Sequence, residues 1–138
     1  IPWLIDTFWA KVVIILAITW RGTGYNMIFF LSSLQNIDED IYQAAEIDGA
    51  GAWDKFWKIT VPLLKPVILL TAIMSTSGTL QLFDEVVNIT NGGPNNSTMT
   101  ISHYIHNLSF KYSPDFGYAT AVSFVVFVLI AVLSLLQM

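Results

Sequence analysis

The sequence predicts an all-α, polytopic membrane protein with three spanning helices, and three observations carry that prediction. Apolar runs over 12–34, 67–87 and 118–138 each hold about 20 residues, the length that crosses a hydrocarbon core at ~1.5 Å rise per residue. Hydrophobic residues make up 54% of the chain and charged residues 12%, with a mean hydropathy of +0.61, which leaves too little charge to cover a water-soluble surface. The charge present is gathered in one place: six of the ten acids lie between Asp38 and Asp54. The net charge of -4 is therefore local and points to no nucleic-acid partner.

The first spanning helix is predicted over about 8–34, with Asp6 and Thr7 placed to cap it. Such a helix is ~40 Å long against a ~30 Å core, so it must tilt or break, and Arg21-Gly22-Thr23-Gly24 is the expected place. Arg21 at membrane depth needs a polar cavity or a partner.

Composition changes abruptly over the loop 36–65. Asp38, Glu39 and Asp40 set acids at a helix N-terminus, where the dipole favours them, and Ile41, Ala44, Ala45 and Asp48 recur at helical spacing until Gly49 offers a stop. A second short helix carries Trp53, Phe56, Trp57 and Thr60 on one face, and Pro62 is expected to end it. Lys55, Lys58 and Lys65 against Lys111 alone in the later loop place 36–65 in the cytoplasm.

The second spanning helix is predicted over 66–87 with a polar stripe that includes Thr71, Ser75, Thr76, Thr79, Gln81, Asp84 and Glu85. Turn formers from Thr90 to Ser97 open an external loop, 88–115, in which Ile101, Tyr104, Ile105, Leu108 and Tyr112 share one face of a short interfacial helix. The last span, 116–138, opens with Gly117 and Ala121 as a small surface for close packing. It reaches Met138 with no charge to end it, and the first residue is Ile, so a fragment of a longer chain is expected. Cysteine is absent, which removes disulfides, thiolate metal sites and a thiol nucleophile. His103 and His106 share a helix face without a third ligand, so no metal is expected.

On physical grounds alone the 36–65 segment reads first as an amphipathic hairpin resting on the membrane surface, anchored at the interface by Trp53 and Trp57. Its pattern adds a second reading. Gln43-Ala44-Ala45, Asp48-Gly49-Ala50, Phe56, Ile59 and Val61-Pro62 resemble the EAA loop of ABC transporter permeases, with Gln43 for the usual Glu and Val61 for the usual Leu. Further matches follow in order: Trp20, Gly22 and Tyr25; Leu34-Gln35 with Ile37; Thr90 through Pro94; Tyr104-Ile105; and Phe116 through Ala119. The resemblance covers all 138 residues and is nearest the carbohydrate-importer branch, the maltose, glycerol-phosphate and lactose type.

That resemblance implies the C-terminal half of a sugar-import permease in a bacterial or archaeal plasma membrane, in contact with membrane lipid. The loop is implied to form a pair of coupling helices that dock on a cytoplasmic ABC ATPase subunit through Gln43, Ala44, Ala45, Asp48, Gly49 and Ala50. Further implied partners are a second permease subunit, an external solute-binding protein and the sugar. No Gly-Lys pair is present, so there is no P-loop, ATP hydrolysis belongs to a partner, the chain is not an enzyme, and no cofactor is expected. The resemblance carries Gly22, Tyr25 and Thr79 to the substrate pathway. Arg21, Gln81 and Asp84 join them because polar groups at membrane depth face cavities and suit sugar hydroxyls. These residues read equally as helix-to-helix hydrogen bonds, with Arg21 and Asp84 as an ion pair. A passive channel, a structural subunit, and a permease for a non-sugar solute such as glycerol phosphate are the alternatives. An intramembrane enzyme built on Asp84 and Glu85 is set aside, since adjacent helical residues point ~100° apart.

Overall fold

The computed structural model describes residues 3–112 and 114–138. Among them every regular element is helical: α1 (Thr7–Gln35), α2 (Glu39–Ile47), α3 (Ala52–Lys55), a π-helical stretch Phe56–Thr60, α4 (Val61–Leu80), α5 (Asp84–Ile89), α6 (Ile101–His106), a second π-helical stretch Asn107–Lys111, and α7 (Phe116–Gln137). Three of the described helical runs are long and apolar enough to cross a membrane, Thr7–Gln35, Ala52–Leu80 and Phe116–Gln137. The chain forms two compact units, residues 1–22 with 73–138 and residues 23–72.

Helix α1 starts where its cap dictates. Asp6 Oδ1 accepts from the backbone N–H groups of Phe8 at 2.8 Å and Trp9 at 3.2 Å, which satisfies two first-turn donors. The break expected at Arg21-Gly22-Thr23-Gly24 does not occur, and α1 is continuous over 29 residues. Each glycine costs about 1 kcal/mol in a helix interior, whereas opening a turn in hydrocarbon strands several backbone groups at several kcal/mol apiece, so the ladder holds.

The second span departs further from the prediction of 66–87. Its helical run begins at Ala52, passes Pro62 and Pro66, and stops at Leu80. The π-helical stretch explains how Pro62 is passed: the Val61 N–H bonds to the Phe56 carbonyl, five residues back, and this wider turn relieves the carbonyl that a proline ring strikes in a regular α-turn. At the other end the Thr100 hydroxyl donates to the Leu82 carbonyl at 2.6 Å, taking the acceptor that a further helical turn would have used. Residues 84–89 then form the separate helix α5. Val86, 1% exposed, and Leu82 pack on Ile14 of α1, with Ile18 at the edge. In hydrocarbon such contacts are held by dispersion and fit rather than by expulsion of water.

Gln137 Nε2 donates to Thr76 Oγ1 at 2.9 Å, and Leu133 shares a groove with Thr79 and Leu80, so α7 runs antiparallel to the end of α4. Leu133 lies ~25 Å along α7 at 1.5 Å per residue. Helix α4 therefore ends deep beside α7, and residues 81–112 fold within that thickness. Their backbone is paired internally: Thr90 Oγ1 donates to the Val86 carbonyl at 3.1 Å, Thr98 Oγ1 to the Gly93 carbonyl at 2.8 Å, and the two hydroxyls lie 2.8 Å apart. Asn91, Gly92, Asn95 and Asn96 supply the left-handed backbone that so tight a loop requires. The short helix predicted here is present as a continuous helical run from Ile101 to Lys111. In α7 the buried small residue is Ala119, while Gly117 and Ala121 are exposed; two positions along a helix is more than half a turn, so only one of these faces meets its own chain.

Candidate functional site

Within residues 23–72, α2 and the start of the second span make a braced hairpin. Asp38 Oδ1 accepts from the Asp40 N–H at 3.1 Å, and Glu39 and Asp40 sit in the first turn at the positive end of the helix dipole. At the other end Gly49, at φ +80°, lets its own N–H bond to the Glu46 carbonyl at 3.0 Å and that of Ala50 to the Ala45 carbonyl at 2.9 Å. These are the paired bonds of a glycine C-cap, and they turn the chain sharply out of α2. Two bridges then fix the angle. Lys55 Nζ donates to Glu46 Oε1 at 2.5 Å, and the hydroxyls of Tyr42 and Thr60 are 2.8 Å apart. The hydrogen bond from Lys55, reinforced by its charge, holds the Glu46 carboxyl below the usual carboxylate range.

What this bracing presents is small and open. Gln43, Ala44, Asp48 and Gly49 are exposed, Ala45 and Ala50 are half-buried, and Ile47 protrudes at 88% exposure. Exposed Trp53 packs edge-on against Phe56, which meets Trp57 in the same way. The hairpin thus has a fixed shape with an apolar tip. Tyr42→Phe removes one bridge and is expected to weaken the hairpin by about 0.5–1.5 kcal/mol, read as faster amide exchange over 39–60.

The polar pathway candidates fall in both units, Tyr25 in 23–72 and the other five in the larger one. Arg21 Nη1 pairs with Glu85 Oε1 rather than with Asp84, which corrects the expected ion pair. Asp84 and Glu85 are adjacent on α5, and the packing of Val86 on α1 aims Glu85 at Arg21 while Asp84 stays exposed. Thr79 Oγ1 donates to the Ser75 carbonyl at 2.8 Å and lines an open groove of about 390 Å³ with Ser75, Thr76, Leu80 and Leu133. Thr71 likewise donates to the Val67 carbonyl at 2.8 Å, so hydroxyls in the stripe are partly satisfied by their own helix. Gln81 stands exposed at the end of α4, Gly22 has open space where a Cβ would sit, and Tyr25 is exposed. Sequence reasoning noted Glu85 but missed its partner, and it missed Gln137 and Leu133 altogether, because nothing local signals a contact across α4 and α7.

His103 is 2% exposed and lies edge-on to Phe83 at 6.1 Å, while His106 sits 5.1 Å from the same ring. Both rings act as packing for the turn at 81–83.

A family model described as "Binding-protein-dependent transport system inner membrane component" matches residues 1–138. The chain belongs to this family. As an inner membrane component it is a multi-pass membrane protein, in keeping with its three apolar helices. It is 63% identical over 139 residues to the lactose transport system permease protein LacF of Rhizobium radiobacter, covering 99% of this chain and 47% of that protein. It is 39% identical over 128 residues to the multiple sugar-binding transport system permease protein MsmF of Streptococcus mutans, covering 93% and 44%. The fold is shared with a chain of a bacterial alginate ABC transporter solved in complex with an alginate pentasaccharide-bound periplasmic protein, at a TM-score of 0.84 and 24% identity over 99% of this chain and 48% of that one. This family member spans just under half the length of each of these relatives.

Proposed function

We propose that the chain is part of the permease subunit of an ATP-driven sugar importer in a bacterial or archaeal plasma membrane. The hairpin is the cytoplasmic coupling element, and residues 81–115 lie toward the external side. The observation that carries this reading is the braced hairpin of α2 and α3, whose second arm is itself the start of an unbroken 29-residue helical run, Ala52–Leu80. A push on a rigid knob at one end of such a rod moves the rod. Gln43, Ala44, Ala45, Asp48, Gly49 and Ala50 form the docking face for a cytoplasmic ABC ATPase subunit, which supplies the energy. Arg21, Tyr25, Thr79, Gln81 and Asp84 contribute polar groups to the pathway of the sugar and Gly22 leaves space along it, with a second permease subunit completing its wall and an external solute-binding protein delivering the substrate. Relatives whose names specify lactose and multiple sugars support a sugar cargo.

The test uses Ile47→Cys, since these 138 residues hold no cysteine. In the full-length permease, with any other cysteines replaced, a membrane-impermeant maleimide is expected to label residue 47 only in inside-out vesicles. A short bismaleimide is expected to join it to the ATPase subunit. Labelling from outside intact cells, or no cross-link in the assembled complex, overturns the assignment.

A further inference from the structure

Arg21 stands midway along α1, as far from Thr7 as from Gln35, which the reading of α1 as a spanning helix puts at membrane depth. Its side chain is 57% exposed within the chain, whereas that of Glu85 is 13% exposed. A guanidinium is not left facing lipid, so the open side of Arg21 meets water or another polar surface. The carboxylate behind it is held in place by packing: Glu85 lies between Asp84 and the buried Val86 on a helix anchored to α1 through Ile14 and Leu82. The arrangement is a fork of N–H donors on the open side with an acceptor at its back.

We infer that Glu85 sets the charge preference of the pathway, neutralising Arg21 so that its open donors take the hydroxyls of uncharged sugars and discriminate against anionic ones. This rests on the importer reading above and refines it. A lone guanidinium in a water-poor site binds carboxylates, phosphates and sulfonates bidentately and with added Coulomb attraction. With Glu85 against Nη1 the net charge of the pair is zero, and an incoming anion meets the repulsion of the carboxylate. An uncharged sugar loses nothing by this. Its hydroxyl oxygens accept from the open N–H groups of the guanidinium. Glu85 therefore acts as a positioning residue through Arg21, and its removal changes which sugar is preferred.

The experiment uses the full-length permease assembled in proteoliposomes with its ATPase, second permease subunit and binding protein. Uptake of labelled lactose is measured with lactobionate, a carboxylate-bearing relative of lactose, as competitor. The affinities of the isolated binding protein for both are measured separately, so that delivery is factored out. Glu85→Gln is expected to raise the lactose KM about tenfold with kcat changed by less than twofold, and to make lactobionate inhibit at concentrations about tenfold lower than in the wild type. Arg21→Met with Glu85→Leu replaces the pair by apolar residues of similar volume, an exchange that stability commonly tolerates. That double variant is expected to show the raised lactose KM without the gain in lactobionate inhibition. An unchanged lactose KM in Glu85→Gln, unchanged inhibition by lactobionate, or wild-type kinetics in the apolar double variant overturns the inference and leaves the pair as a structural clasp. A wild-type complex that imports neither lactose nor a panel of neutral oligosaccharides instead overturns the importer reading itself.

Discussion

A full-length permease carrying Gly49→Val is expected to insert into the membrane normally and to lose ATP-driven uptake by tenfold or more. Gly49 sits at φ +80°, and among the described residues nothing lies within 4 Å of a Cβ placed there. Space is thus no obstacle, and the penalty is entirely in the backbone. A left-handed conformation costs an ordinary L-residue about 1–2 kcal/mol, and a β-branched one at least that. The backbone escapes by leaving the left-handed region, which breaks the bonds from Gly49 to Glu46 and from Ala50 to Ala45. The turn between α2 and α3 then opens, and the bridges Lys55 to Glu46 and Tyr42 to Thr60 no longer reach. Every 1.4 kcal/mol taken from docking is a factor of ten in affinity, so even the lower figure is visible in uptake. Gly49→Asn is the control, because asparagine tolerates the left-handed region; it is expected to keep most activity. Wild-type uptake in the valine variant removes the hinge from the mechanism.

Gly92→Val is expected to fail earlier, in folding and assembly. Gly92 has φ +83°, and in contrast to Gly49 it is buried: a Cβ there would stand 3.1 Å from Cε1 and 3.3 Å from Nδ1 of His103. The imidazole has nowhere to go, being 2% exposed and packed against Phe83. Backbone strain of about 1–2 kcal/mol and overpacking of about 1–3 kcal/mol add to roughly 2–5 kcal/mol, a large share of a typical margin of stability. The expected readout is a lower midpoint of thermal unfolding for the detergent-solubilised permease, with faster amide exchange across 90–104. Adding His103→Ala makes room for the new side chain and is expected to restore the packing part only, because the backbone at residue 92 stays strained. A Gly92→Val protein with unchanged stability would show that this loop is not held by the His103 contact.

The two glycines also mark how far local reasoning reaches. Gly49 was legible in the chain because a helix stop needs only its own neighbours: an acidic N-terminus, a short amphipathic repeat, then a glycine. Gly92 was legible as a turn residue, but its burial against His103 was not, since the ring comes from eleven residues further on and no turn rule places it there. For a related reason the polar stripe is legible in the chain only as a set of residue types. Thr71 and Thr79 satisfy their hydroxyls on carbonyls of their own helix, so a threonine at membrane depth is weak evidence for a cavity unless a contact from another element is seen.

By itself the chain determines the all-helical class, the three apolar spans, the capped hairpin between two of them and the left-handed loop of Asn and Gly residues. Each follows from periodicity, composition or capping within a few turns of backbone, forces that act over short stretches. Tertiary structure alone decided that α4 stops at Leu80 and that Arg21 pairs with Glu85 in place of Asp84. Those outcomes depend on which distant groups arrive to take a carbonyl or bury a valine, as Thr100 does at Leu82 and Ile14 does at Val86. No window of sequence short enough to read for helix periodicity contains both partners.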